Sequence, residues 1–289
     1  ALGDLRANLA LHRQAVLSAK RAGADLVVFP ELSLTGYLLK DLTEEVAVEM
    51  RGSPAIEELL SLSRRLPFVV GLVERGDDQI CYNSALFLAG GSTVHRHRKV
   101  YLPTYGMFEE GRTFGSGSHF QAFSTRLGRF GILLCEDAWH LSSSYLLALD
   151  GAECLLISSS GPLQPAGTKQ SDAWMDLCRA IARFLTVHVV YVNRVGVEDG
   201  IHFAGGSFAM DPLGRIVGRS PFLEEAASLV RISPAMLRRA RTGTPLLRDE
   251  RPDLVLQHLE RMARSEPDGA ADDRLLSERR PRRARVRNA

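Results

Sequence analysis

The stretch "FGILLCEDAWH" (residues 130–140) joins an apolar run to a cysteine that two acids follow at once. The apolar run predicts a buried strand, which we place at residues 130–137. Neighbouring carboxylates raise the pKa of a thiol, so Cys135 is either inert or activated by groups elsewhere in the chain. Because successive side chains of a strand point to opposite faces, we expect Glu136 to point away from Cys135. We interpret Asp137 as a turn or helix-start carboxylate.

Two other predicted strands end at a residue that could take part in catalysis. Glu31 follows "LVVFP" (26–30), and Lys99 follows "VHRHR" (94–98). Taken singly, the three residues are typical of a solvated turn, a protein surface and a core. Side chains at strand ends can meet at one edge of a sheet, where α/β sites usually lie. A thiol becomes a nucleophile when a base takes its proton or a cation stabilises the thiolate, so we predict one site containing Glu31, Lys99 and Cys135.

Predicted helices and strands alternate along most of the chain. Helical spacing of apolar residues covers 5–22 and 53–66, and hairpins are predicted at 82–100 and 201–220. Residues 1–260 contain no Pro/Gly linker and more strands than one small sheet holds. We therefore predict one α/β domain over 1–260, built from two packed mixed sheets flanked by helices. Residues 261–289 are polar and rich in arginine, and we predict a disordered tail.

Composition excludes several classes of protein. No run of 18 apolar residues occurs, and the start of the chain lacks the features of a secretory signal, so we expect no membrane span and a cytoplasmic location. The four cysteines fit no metal-site spacing, and the histidines of "VHRHRK" read as polar positions of a strand, so no metal is expected. The last sixteen residues carry seven Arg and one Glu, which leaves a mildly acidic body that is a poor nucleic-acid binder.

Three segments resemble the signatures of a known superfamily. They are "LVVFPELSLTGY" (26–37), "HRKVYLPTYGMFEEGRTF" (97–114) and "GILLCEDAWH" (131–140). In this order they resemble the signature segments of the nitrilase (carbon–nitrogen hydrolase) superfamily, and the resemblance extends over about residues 1–260. It implies a four-layer α-β-β-α sandwich, and it implies that the first strand of that fold is missing from this chain.

The resemblance also implies roles for individual residues. Cys135 matches the family's nucleophile, Glu31 its general base and Lys99 the third member of its triad. Glu110 matches a second glutamate, which is expected to bond Lys99 and orient it. The backbone N–H of Glu136, together with Lys99, is expected to stabilise an oxyanion on the way to a thioester intermediate.

Three further residues are predicted to bind substrate, and each has a second interpretation. Tyr105 either lines the substrate pocket or packs within its loop. Trp139 either walls the pocket or belongs to the core or an interface. Ser160, the last of "SSS" (158–160), either places its hydroxyl near substrate or belongs to a strand-end turn.

Within the superfamily, the first two segments most resemble the glutamine-hydrolysing domains of glutamine-dependent NAD synthetases. Nothing after residue 260 resembles a synthetase domain, and the arginine that usually follows the glycine and lysine of "GPLQPAGTKQSDAW" (161–174) is absent until Arg179. "NRVGVED" (193–199) is shared with N-carbamoylputrescine amidohydrolases.

We therefore predict a cysteine-dependent hydrolase of a small linear amide or carbamoyl substrate, without a cofactor and forming a homodimer or larger assembly. The alternatives are a glutaminase that supplies ammonia to a separate synthetase, and a non-catalytic interaction protein of the same fold.

Overall fold

The computed structural model describes residues 1–163 and 170–264 of the chain. The chain divides into two compact units, residues 1–247 and the segment from Arg248 onward. The strands of the first unit are β1 Val27–Val28, β2 Val48–Glu49, β3 Phe68–Arg75, β4 Cys81–Ala89, β5 Ser92–Arg98, β6 Phe123–Thr125, β7 Gly128–Leu134, β8 Cys154–Ser159, β9 His188–Asn193, β10 Val195–Glu198, β11 Ile201–Ala204, β12 Phe208–Met210 and β13 Ile216–Arg219.

Helices connect and cover these strands. The α-helices of the described residues are α1 Leu5–Arg21, α2 Thr43–Val46, α3 Pro54–Ser63, α4 Glu110–Thr113, α5 Leu141–Leu149, α6 Gln170–Phe184, α7 Pro234–Gly243, α8 Leu246–Asp249 and α9 Pro252–Arg264. Two short 3₁₀ helices span Lys40–Leu42 and Cys135–Trp139. None of the helices in the described part of the chain is long and apolar enough to cross a membrane.

The strands form two mixed sheets, as the sequence predicts. In the first sheet, β3 pairs in parallel with β1 and β2 and antiparallel with β4, which pairs with β5. The second sheet has the order β13-β12-β9-β8-β7-β6, with β7, β8 and β9 parallel. Strands β10 and β11 form a separate hairpin. The hairpin predicted over residues 201–220 is therefore shorter than predicted, because it contains only β12 and β13.

Side-chain alternation along β3 separates two apolar layers. Phe68 and Val70 face α1 and α3 on the outer side of the first sheet, with Val16 and Leu59 as buried partners. Val69 faces the second sheet, where it belongs to the cluster that holds the two sheets together. Because the side-chain period of a strand is two, one buried strand serves both layers.

The other two layers follow the same rule. Phe87 of β4 packs between the sheets against Phe130 and Ile132 of β7. On the outer face of the second sheet, Leu133 and Ile157 pack against helices α5 and α6. Helices therefore cover both outer faces, and the architecture is the predicted α-β-β-α sandwich.

Two predicted boundaries differ from the structure. Strand β7 ends at Leu134 rather than at residue 137, and the 3₁₀ helix begins at Cys135. Helix α9 runs to Arg264, so residues 261–264 of the predicted tail are helical. Residues 265–289 lie outside the described residues, and their disorder stays a prediction.

Candidate active site

Glu31, Lys99 and Cys135 each lie just beyond the carboxyl end of a strand. Strands β1 and β5 run in the same direction because two antiparallel pairings separate β5 from β3, so their ends share one edge of the first sheet. Strand β7 of the second sheet ends immediately before Cys135. Ser159 at the end of β8 bonds the Cys135 thiol, and the next residue, Ser160, bonds the Glu31 carboxylate that pairs with Lys99, so the three groups belong to one cluster.

The ammonium group of Lys99 joins two carboxylates. Its Nζ donates to Glu31 Oε1 over 2.8 Å and to Glu110 Oε1 over 2.7 Å, and its side chain is fully buried. Burial alone would lower the pKa of Lys99, but Glu110 and Glu31 outweigh it and hold the pKa well above its ordinary value. Lys99 therefore stays charged throughout the physiological pH range.

The carboxylate of Glu31 is held by three donors in all. Besides Lys99, Asn83 Nδ2 donates to Oε1 over 2.9 Å and the backbone N–H of Ser160 donates to Oε2 over 2.9 Å. The loop carrying Glu31 crosses directly over Gly71 of β3, where a Cβ would clash with the backbone of that loop. Glycine is required here because nothing larger lets the two backbones approach so closely.

Glu110 is the first residue of α4, and its two oxygens have different surroundings. Oε1 accepts from Lys99 and, over 2.6 Å, from the Tyr37 hydroxyl. Oε2 is buried and has no hydrogen-bond partner among the described residues. Burial raises the pKa of Glu110. An unpaired buried oxygen beside the Lys99 ammonium is an acceptor open to a further donor.

Cys135 occupies a strained position in the backbone. Its φ is +43°, in the left-handed region that a residue with a side chain adopts at a cost. Ser159 Oγ donates to Cys135 Sγ over 3.2 Å. Burial and the Glu31 carboxylate raise the pKa of Cys135 to about 12, against the opposing effects of Lys99 and Ser159. The thiol is therefore protonated at neutral pH, and a base must take its proton as it reacts.

Glu136 does not lie in a strand, contrary to the prediction, because Cys135–Trp139 forms a 3₁₀ helix. Glu136 Oε2 accepts the hydroxyl of Tyr105 over 2.7 Å. The backbone N–H of Glu136 lies in the first turn of that helix, where N–H groups have no acceptor within the helix. Asp137 fits the predicted turn carboxylate, since it accepts from the N–H of Leu134 over 3.1 Å.

The three predicted substrate-binding residues have different surroundings. Tyr105 is 60% exposed and Trp139 is 41% exposed, and the Trp139 ring contacts Trp174 with centroids 4.9 Å apart. Ser160 is fully buried, and its hydroxyl donates to the carbonyl oxygen of Glu31 over 3.1 Å. Ser160 thus contacts Glu31 directly, and its role toward substrate, like that of the other two, stays a prediction.

Comparison with known proteins identifies the family. The pattern described as carbon-nitrogen hydrolase matches residues 2–242, which is most of the chain. The chain belongs to the carbon-nitrogen hydrolase family. Among the residues that the structure describes, no group of three or more His, Cys, Asp or Glu side chains could hold a metal ion.

Relatives within this family carry more than one activity. A glutamine-dependent NAD(+) synthetase of Acinetobacter baylyi is 30% identical over 224 residues, which cover 78% of this chain and 41% of the synthetase. An N-carbamoylputrescine amidase of Solanum lycopersicum is 27% identical over 267 residues, covering 87% of this chain and 89% of the amidase. The chain thus spans less than half of the length of the synthetase.

A solved structure supports the fold. The amidase of Nesterenkonia sp. AN1 in complex with acrylamide superposes with a TM-score of 0.76 at 23% identity, over 89% of this chain and 92% of that one. At 23% identity, this comparison shows that the two chains share an architecture.

Arg194, in the segment "NRVGVED", is a partly buried residue that supports the site structurally. Its Nη2 donates to the carbonyl oxygens of Glu31 and Leu32, both over 3.0 Å, and its Nη1 pairs with Glu198. Glu198 Oε2 in turn accepts from the N–H of Tyr37 over 2.8 Å. These bonds fix the backbone from Glu31 onward, including Leu32, whose φ is +48°.

Two residues that contact the cluster have no predicted role, Tyr37 and Asn83. Both are polar side chains inside largely apolar segments, where a buried polar group needs a partner. Asn83 is the clearer example, because it is a fully buried amide in the buried strand β4.

A cavity of about 240 Å³ lies beside the cluster on the α6 side of the second sheet. Trp174, Tyr191, Phe208 and Phe222 form its aromatic walls. Tyr191 connects it to the nucleophile, since its hydroxyl lies 3.5 Å from Ser159 Oγ. None of the three predicted substrate-binding residues lines this cavity, although Trp139 contacts its wall at Trp174.

Proposed function

We propose that this chain is a cysteine-dependent hydrolase that cleaves the carbon–nitrogen bond of a small linear amide or carbamoyl substrate through a thioester. One observation carries the proposal: the fully buried Lys99 ammonium is held between Glu31 and Glu110 beside the Cys135 thiol. Burying an ammonium and two carboxylates is costly, and such a cluster is typical of a catalytic site.

The first step is attack on the carbonyl carbon of the amide. The Cys135 thiol is protonated at rest, since its pKa is about 12, so Glu31 takes the proton as the sulfur–carbon bond forms. Negative charge develops on the carbonyl oxygen. The Lys99 ammonium and the backbone N–H of Glu136 stabilise it, because both are donors that need no reorganisation at the moment of reaction.

The second step releases the amine. Glu31 returns its proton to the leaving nitrogen, the carbon–nitrogen bond breaks, and a thioester on Cys135 remains. Glu31 then takes a proton from a water molecule that attacks the thioester, which frees the acid and restores the thiol. The three donors that hold Glu31 keep its carboxylate in one place through both proton transfers.

The amidase-type relative favours an amide or carbamoyl hydrolase, because that alignment covers 87% of this chain and 89% of the relative. A second candidate is a glutaminase that supplies ammonia to a separate synthetase, which the match to the NAD(+) synthetase favours. The stretch 161–174, where the expected arginine is missing, includes residues 164–169, which lie outside the described residues.

A panel of small amides, carbamoyl compounds and glutamine, monitored for ammonia release, tests the proposal. We expect turnover of at least one amide or carbamoyl compound by the wild-type chain and none by Cys135→Ala. Turnover of glutamine alone would establish the second candidate. No ammonia from any compound would favour the non-catalytic alternative. The homodimer or larger assembly implied by the family resemblance is tested by size-exclusion chromatography with light scattering.

A further inference from the structure

The carboxylate of Asp137 connects the segments that carry the nucleophile and the lysine. Oδ1 accepts from the backbone N–H groups of Val100 and Tyr101, both over 3.0 Å. Oδ2 accepts from the N–H of Leu134 over 3.1 Å. Leu134 directly precedes Cys135, and Val100 directly follows Lys99. The fully buried side chain of Asp137 therefore bonds the residue before Cys135 and the residue after Lys99.

His97 completes this set of contacts. Its Nε2 lies 2.8 Å from Asp137 Oδ2, and the ring is 3% exposed. His97 lies in β5, two residues before Lys99, so its bond joins Asp137 to that strand. The ring stacks on Phe120 with centroids 5.6 Å apart, which fixes its plane. The carboxylate thus bonds the lysine segment on both sides of Lys99.

These contacts act on a backbone that would otherwise relax. Cys135 has a φ of +43°, and a strained residue of this kind persists only where its surroundings hold it. Asp137 closes the turn through Leu134 and fastens that turn to residues 97–101. Catalysis by a thiol and an ammonium depends on their mutual placement, and a displacement of about 1 Å can cost about a hundredfold in rate.

We propose that Asp137, fixed by the Nε2–H donor of His97, is a positioning residue that sets the placement of the Cys135 thiol relative to Lys99. This inference rests on the proposed function, since it assumes that Cys135 is the nucleophile. Neither side chain touches the reacting atoms. Their effect is on the geometry from which the thiol attacks, and it depends on the hydrogen bond between them rather than on the size of the imidazole ring.

Two variants of His97 separate the hydrogen bond from the bulk of the ring. His97→Gln places an amide N–H near the position of Nε2, whereas His97→Asn places it near Nδ1, out of reach of Asp137. The readout is the rate at which iodoacetamide alkylates Cys135, followed by peptide mass. In this reaction the sulfur–carbon bond forms, iodide leaves and the thiol proton passes to Glu31, so no natural substrate is needed.

We expect His97→Asn to slow alkylation about ten- to a hundredfold, and His97→Gln to remain within about threefold of the wild-type rate. His188→Asn is a matched control: His188 is 2% exposed, and its Nε2 bonds the Ser233 carbonyl oxygen over 3.1 Å, away from the cluster. It should lose stability without changing the rate. All rates are measured where circular dichroism shows the variants fully folded.

The outcomes distinguish this inference from the proposed function. Equal rates for the Gln and Asn variants, or a slower Gln variant, would overturn the positioning role. Glu31→Gln tests the proposed function, because removal of the base that takes the Cys135 proton should slow alkylation strongly. Wild-type rates in Glu31→Gln would overturn the proposed function itself, whereas a slow Glu31→Gln beside unaffected His97 variants would overturn only the role of Asp137.

Discussion

The ammonium group of Lys99 donates to Glu31 Oε1 over 2.8 Å, and neither side chain reaches solvent. Two backbone segments must be placed correctly for this contact to form, the loop over Gly71 and the end of β5, and Glu110 at the start of α4 adds a second carboxylate to the same ammonium. The contact therefore joins the stability of the fold to the proposed chemistry, and disturbing it should affect both.

Replacing Lys99 with methionine should cost about 3–5 kcal/mol of unfolding free energy, because it leaves two buried carboxylates without their cation. Turnover should fall by at least two to three orders of magnitude through loss of an oxyanion donor. Urea unfolding and ammonia release measure the two effects. Lys40→Met is the control, since the Lys40 side chain is 70% exposed and pairs with Asp199 at the surface. Its stability and rate should stay near wild type.

Cys135→Ala should abolish turnover and leave the fold intact, whereas Cys154→Ala should leave turnover in place. Both thiols are buried, and burial raises the pKa of each to about 12. They differ in that only Cys135 lies within the influence of Glu31 and Lys99. Ammonia release, with circular dichroism to verify folding, distinguishes them. Equal activity in the two variants would contradict the assignment of the nucleophile.

The strand ends that carry the candidate site could be predicted because apolar runs are a local property of the sequence. The turn of the backbone at Cys135 could not be predicted in this way. Whether "CEDAWH" continues the strand or turns depends on Asp137, whose partners at residues 100 and 101 are far away along the chain. The same reason hides the contacts of Arg194 with the carbonyl oxygens of Glu31 and Leu32, which lie more than 160 residues upstream. Neither contact leaves a local pattern.

Replacing Arg194 with lysine should lower kcat and destabilise the chain by about 1–3 kcal/mol, because an ammonium lacks the fork that reaches several acceptors at once. Arg241→Lys is a matched control. Arg241 also donates to two carbonyl oxygens, those of Ala152 and Thr186, but it lies outside the cluster. It should lose comparable stability while keeping its kcat. A fall in kcat of the same size in both variants would remove Arg194 from the site.

His12 makes stability depend on pH in the mildly acidic range. Burial lowers the pKa of His12 from 6.5 to about 4, so the folded chain keeps the ring neutral where the unfolded chain protonates it. The stabilisation that the neutral His12 ring gives the folded chain is complete above pH 6.5 and is lost as the pH falls toward 4. Between pH 7 and pH 5, wild type should lose about 2 kcal/mol more than His12→Asn in urea unfolding. Parallel pH profiles for the two proteins would show that His12 does not titrate in this way.

The most direct test of the account is intact-protein mass spectrometry during turnover of an amide identified in the panel. If Glu31, Lys99 and Cys135 act as one unit, acid quenching should trap a covalent adduct with the mass of the acyl group, located on Cys135 by peptide mapping. The adduct should be absent from Cys135→Ala and strongly reduced in Glu31→Gln. Continued amide hydrolysis by Cys135→Ala, or turnover with no acyl adduct on Cys135 under any quench, would contradict the central claim.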